Sequence, residues 1–489
     1  MTAQSHLKTA VTTHFGIRAR ALPGLSTLSC IVWFVAAAIS AQFGVGLIAY
    51  VAVLVWSSYR ALRRPIDGLW LVFFVLTISV ISVPLEYEGN WGGDAPIEYW
   101  YWGLCIAFLG AAIFLGLGFR SKPDGDKARK TPMSKALMVF LLVILLASAY
   151  GYAHGNSVSI IVRQGSGLFF LFFFLFIGYQ LRSSADQLLK AFHRTRKVLV
   201  AYGLVYLAQT IYLNLRYRQE MPEDDFLRGR NPVLFFCGLF AALSVGEWLF
   251  RRPGSPERRL WFGTVVLGLT AILSGSRAIV AAMLLTIVIF LLLRYAAHPL
   301  RFGLAIAGVV LLLVSIRPQE ILFSLVQGSP VLQHVVARFV ASPESDSSLM
   351  QRSSQMVAIW EVFRSRPMLG QGIGATLMWF DPYSLSMVET SFVDTGIGYL
   401  LLKTGALGTF TFLWFLATMF RKTCQDWNLT RHPLFLGILG TLGFYTAFLP
   451  FGPSFFQFFL CFWVATLIGY VLRFNPFWKS PMKVASVSL

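Results

Sequence analysis

Apolar runs of about 15 to 23 residues recur along this 489-residue chain, each near the length that crosses the hydrocarbon of a bilayer. They are expected at 25–40, 42–59, 68–84, 98–119, 136–153, 159–181, 198–214, 231–250, 260–274, 277–294, 301–316, 392–420, 433–449 and 453–473. Composition agrees. The chain is 56% hydrophobic and 13% charged, where soluble domains carry about 25% charged residues. The fold class expected is an all-α polytopic integral membrane protein of about 12–14 transmembrane helices. One large outward loop, 317–391, would separate the eleventh and twelfth spans, and a short cytoplasmic tail would occupy 474–489. No internal repeat or low-complexity tract interrupts the pattern, so 1–489 reads as a single membrane domain.

The formal charge of +19 is read through topology before any nucleic-acid partner is invoked, because cytoplasmic loops collect Lys and Arg. With both termini inside and every span crossing, about 29 of the 41 basic residues fall in inside segments. The bias runs the same way at nearly every loop. Over twenty residues precede the first apolar run, and further spans follow it, so that run reads as an anchor and not as a cleaved signal peptide. Of the five cysteines, Cys30, Cys105, Cys237 and Cys461 lie in apolar runs and only Cys424 in a polar connection. No disulfide framework and no metal cluster is expected.

The outward side is the informative one. Arg163, Arg216, Arg218, Arg228, Arg230, Arg277, Arg317, Arg338, Arg352, Arg364 and Arg366 oppose the positive-inside bias. Arginine at a membrane boundary is costly unless it snorkels or meets an anion. Its planar fork suits phosphate. Arg277, in Leu273-Ser274-Gly275-Ser276-Arg277, sits between two spans near a helix start, where free N–H groups also favour an anion. The alternative for Arg277 is a snorkelling guanidinium or a helix-packing ion pair. Arg163 opens the sixth span in the same way. Arg228 and Arg230 precede the eighth span and either face an anion or pair with Glu223, Asp224 or Asp225.

Glu389, just outside the twelfth span, is the candidate acid–base group, where burial and neighbouring arginines would tune its pKa in opposite directions. The competing reading is a solvated loop carboxylate. Ser391-Phe392-Val393-Asp394 also has the spacing of a capping box for the helix that follows. His154 and His334 show no metal-like spacing. Gly370-Gln371-Gly372-Ile373-Gly374 follows no expected strand, so it is not a dinucleotide fingerprint.

Four segments in this order resemble the O-antigen ligase and Wzy polymerase superfamily of bacterial envelope glycan assembly. They are Arg228-Gly229-Arg230-Asn231-Pro232, Ser274-Gly275-Ser276-Arg277, the outward loop with Arg352, Trp360 and 366–374, and the span containing Gly405-Ala406-Leu407-Gly408. The resemblance covers roughly 160–420. It implies a metal-independent inverting glycosyltransferase without cofactor, using an undecaprenyl-diphosphate-linked oligosaccharide on the outer face of the bacterial cytoplasmic membrane. It implies Arg277, Arg228, Arg230 and Arg163 as diphosphate ligands, with Arg352 a further one. Ligases, and many polymerases, of that superfamily place a His-Asn pair just before the span that carries this glycine turn. Here Glu389-Thr390-Ser391 stands instead, which favours a polymerase of exopolysaccharide, capsule or O-antigen repeats, with Glu389 as base. The alternatives are a ligase acting on lipid A core or a protein and, in another class, a transporter or flippase. Expected partners are the bilayer, a flippase and a chain-length regulator, and not nucleic acid.

Overall fold

The computed structural model of the chain describes residues 26–82, 97–118, 133–181, 183–216, 232–251, 258–295, 347–382 and 384–473. These residues form α1 (Thr27–Gln42), α2 (Gly46–Arg63), α3 (Pro65–Ser82), α4 (Ile97–Gly118), α5 (Met133–Ala153), α6 (Val158–Gln180) and α7 (Ala185–Arg216). There follow α8 (Pro232–Leu249), α9 (Arg258–Leu273), α10 (Arg277–Tyr295), α11 (Ser347–Ser365), β1 (Leu377–Asp381), β2 (Ser386–Thr390), α12 (Gly396–Thr430), α13 (Pro433–Phe448) and α14 (Phe458–Arg473). All the helices but α11 coincide with expected spans, while the expected span at 301–316 lies outside the described residues. Five stretches, Lys135–Ala153, Val158–Gln180, Pro232–Leu249, Arg277–Tyr295 and Gly396–Thr430, are by themselves long and apolar enough to cross a membrane. The chain is a helical, multi-pass membrane protein. The described fold is helical as expected, with one small antiparallel hairpin of Leu377–Asp381 and Ser386–Thr390 added to it.

Two helices outrun their apolar runs. Helix α7 begins in basic sequence and α12 continues into it, since a helix satisfies its own backbone wherever it runs, and Lys422 supports α12 by an i,i+4 ion pair to Asp426 at 2.9 Å. The cap of α12 also differs from expectation. Thr395 is the N-cap and accepts from Gly398 N at 3.1 Å, so Ser391 and Asp394 lie ahead of the cap and form no box.

The described helices alternate in direction. Ala147 of α5 accepts from Ile373 N at 3.1 Å, and Leu449 after α13 accepts from Gly396 N at 2.8 Å. These bonds bring the end of α5, the start of α12 and the end of α13 to the end of the bundle that carries the hairpin. α10 runs antiparallel to α13, with Phe290 against Gly440 and Ile289 against Gly443, so Arg277 starts α10 at that same end. The opposite end is stitched by charge. Asp67, buried at the start of α3, meets Arg60 at 3.4 Å, Arg194, and Trp70 Nε1 at 3.2 Å. Arg196 meets Glu247 at 2.6 Å, His432 meets Asp186 at 3.1 Å, and Arg473 donates to the carbonyls of Tyr179 and Gln180 that end α6.

Helices α6 and α14 make the closest packing. A Cβ on Gly178 would overlap the backbone of Thr466, and one on Gly469 that of Leu175. Small residues at such crossings let two backbones approach within a lipid environment. Around them Trp463, fully buried, contacts Phe73, Phe192 and Phe240 with ring centroids 4.8–5.7 Å apart.

Candidate functional site

The candidate site is built on the segment from Arg366 to Thr395, which lies across the hairpin end of the bundle. Helix α12 breaks at Gly405, whose φ is +63° and ψ −161°. Beyond the break, Ala406 N and Leu407 N donate to the carbonyls of Pro367 and Met368 at 2.8 and 3.1 Å. Gln371 N donates to Leu402 O at 2.8 Å, so the glycine-rich turn fills the gap that the break opens. Gly370, Gly372 and Gly374 all have positive φ, a region costly for any residue with a Cβ. Their role is this buried turn. Asn156 Nδ2, just ahead of α6, holds the same turn through the carbonyls of Gln371 and Ile373 at 3.3 and 3.2 Å.

Beyond the turn the chain forms the hairpin. Leu377, Trp379 and Asp381 of β1 point inward and are buried, while Met378 and Phe380 point out. Helix α11 packs against β1, with Gln351 Nε2 donating to Asp381 Oδ1 at 3.1 Å. At its other side α11 reaches the start of α12, where Gln355 Oε1 accepts from Asp394 N at 3.2 Å. Glu389 pairs in register with Met378 of β1. Its side chain is exposed on the hairpin's outer face, beside the exposed Met378, Phe380 and Met387.

The arginines take different positions at this end. Arg163 is exposed in the first turns of α6, one residue before Gln164. Arg277 is half-buried as the first residue of α10, after Ser276, whose Oγ accepts from Ile279 N at 3.5 Å. Arg352 is half-buried on α11, and its Nε is enclosed without a hydrogen-bond partner among the described residues. Arg364 is exposed and lies over the Trp360 ring at 5.6 Å. Arg228 and Arg230 lie outside the described residues, as do the loop 217–231 and the first part of the outward loop. Arg352 and Glu389 therefore belong to one unit, the hairpin with α11. Arg163 belongs to α6, which the hairpin's roots touch, and Arg277 to a separate helix pair at the same end. Chemically, the end offers guanidiniums suited to an oxyanion and, among the described residues, exposed carboxylates at Glu389 and Glu361.

Two residues at the site escaped the sequence reading. Lys403 is fully buried in α12, and its Nζ donates to the carbonyls of Ala375 and Ser391, the latter at 3.5 Å. Gln164 Nε2 donates to the same two carbonyls at 3.3 and 3.0 Å, and its Oε1 accepts from Gly374 N at 2.8 Å. The signal for Lys403 was present, since it is the one basic residue within the apolar run 392–420. Gln164 gave none, because a glutamine near a helix start is ordinary. Among the described residues no cluster of three metal-ligating side chains occurs. Compared with known proteins, the chain matches no family model and no curated sequence.

Proposed function

We propose that this protein is a glycan polymerase of the bacterial cytoplasmic membrane, extending lipid-linked repeat units on the extracytoplasmic side. The observation that carries the reading is the segregation of two ends. Arg163, Arg277, Arg352 and the hairpin with Glu389 share one end of the bundle, and the basic residues that tie α2, α3, α7, α8, α13 and α14 crowd the other. The positive-inside bias assigns the crowded end, with both termini, to the cytoplasm. Arginines on the outer face run against that bias and suit an oxyanion, which the diphosphate of an undecaprenyl-linked glycan would supply. The resemblance in segment order over roughly 160–420 points to the same donor.

In this reading a hydroxyl of the acceptor sugar attacks the anomeric carbon of the donor glycan. The carbon–oxygen bond to diphosphate breaks with inversion, and undecaprenyl diphosphate leaves. Glu389 takes the hydroxyl proton, and its accessible place on β2 lets an acceptor reach it. Arg277, with Arg163, Arg352, Arg228 and Arg230, stabilises the charge that grows on the leaving diphosphate. That electrostatic contribution exceeds the part of the base. Fixed guanidiniums perform the task a metal performs elsewhere, so no metal or cofactor is assigned. Working partners would be a flippase that delivers the units and a chain-length regulator. A ligase would use the same donor with lipid A core or a protein as acceptor. A flippase would line a path with charge, whereas Lys403 is sealed against two carbonyls.

The test is a deletion strain complemented with Arg277→Ala or Glu389→Gln, with surface glycan length profiled. Loss of long chains while single repeats persist supports the polymerase. Full-length chains accumulating on undecaprenyl diphosphate would assign a ligase, and normal glycans in both strains would remove the site.

A further inference from the structure

The hairpin leaves the bundle and returns to it through two carbonyls. Ala375 stands two residues before β1, and Ser391 follows β2 directly. Both carbonyls receive Lys403 Nζ from α12 and Gln164 Nε2 from α6. Gln164 is itself held, because the buried Tyr399 donates its hydroxyl to the Gln164 carbonyl at 3.3 Å and stacks on Phe456 at 5.0 Å. Two donors from two helices thus grip both roots of one hairpin.

Burying a lysine in an apolar helix is costly. Among the described residues no carboxylate lies within ion-pair distance of Nζ to offset it. A leucine or methionine at 403 would satisfy the helix at lower cost. What lysine adds is a donor able to reach two carbonyls that the irregular backbone beside the Gly405 break leaves without helical or ladder partners. An unmet buried carbonyl is itself unfavourable, and losing the amine would leave both roots on Gln164 alone.

We infer that Lys403, with Gln164, is a positioning residue that sets the hairpin against the bundle and so fixes where Glu389 stands. The geometry rests on the hydrogen bonds above, and its catalytic meaning rests on the proposed polymerase. The hairpin swings only when both donors let go together, and Glu389, two residues from Ser391, moves with the root.

Hydrogen–deuterium exchange on the full-length protein in nanodiscs tests this directly. Lys403→Met and Gln164→Leu should each speed amide exchange in 376–391 by about tenfold, with the rest of the bundle unchanged. Lys403→Arg, which keeps a donor of similar reach, should restore most of the protection. In elongation assays with lipid-linked repeat units, Lys403→Met should lower kcat more than it changes KM, since Arg163 and Arg277 lie on other elements while Arg352 rides with the hairpin. Unchanged hairpin exchange in Lys403→Met, or a uniform rise across all helices, overturns the proposal. Should Lys403→Met fail to fold, Gln164→Leu decides alone, and unchanged exchange there overturns it equally. The two readings fail separately. Full elongation by Glu389→Gln removes the base assignment, while hairpin exchange alone judges the clasp.

Discussion

Gly405 shows how much a single residue decides here. Its φ of +63° breaks α12 nine residues after its start, and a Cβ would press on Gly370 N and on the Met368 carbonyl. Left-handed strain costs on the order of 1–3 kcal/mol, so Gly405→Ala is predicted to lower the thermal midpoint in detergent clearly. An unchanged midpoint would mean that the break is not built into the fold. The sequence contained this glycine, and its position inside an apolar run read only as a motif of the span. Nothing local announces that a turn 35 residues upstream fills the break. Lys403 was legible in a weaker sense. A charge in a span marks a site by default, but the two carbonyls it serves are brought there by Gly370, Gly372 and Gly374. Glu389 stands a few residues ahead of α12, and its strand and its exposure were not readable. Both follow from pairing with Met378 and from α11 covering the other face.

Elements were more legible than residues because hydrophobic length is a long, additive signal. The described helices other than α11 follow the expected spans, and Pro450 and Pro453 lie in the connection between α13 and α14. Helix α11 and the hairpin were hidden in a stretch whose polarity only marked it as outside the membrane. Short strands of mixed pattern give little period to detect. Contacts between helices were hidden too, since lipid and protein neighbours look alike to an apolar side chain. The α6–α14 crossing makes a sharp prediction at this scale. Gly178→Leu places a side chain against the Thr466 backbone, which no rotamer change relieves. It should cost more than about 3 kcal/mol, beyond ordinary overpacking, and eliminate the monodisperse peak in size-exclusion chromatography. Phe169→Leu, on an exposed position of the same helix, should leave the peak intact. Equal behaviour of the two variants would show that the crossing does not hold the bundle together.

For the whole molecule, the division of charge is what joins fold to function. One end is laced between helices by ion pairs of Asp67 with Arg60 and Arg194 and of Arg196 with Glu247, and by a hydrogen bond between His432 and Asp186. The other end carries fewer basic residues, a broken helix, an irregular turn and a hairpin with an accessible carboxylate. Rigid lacing at one face and irregular backbone at the other suit a protein that holds station in the bilayer and works at one surface. The most direct test of that account is chain elongation by the purified protein in proteoliposomes, supplied with lipid-linked repeat units from the deletion strain and with EDTA present. The account predicts products longer than one repeat from the wild type, and about a hundredfold or greater loss with Arg277→Ala, the scale of a lost charge-stabilising donor. No elongation by the wild type, or undiminished elongation by Arg277→Ala, would contradict it.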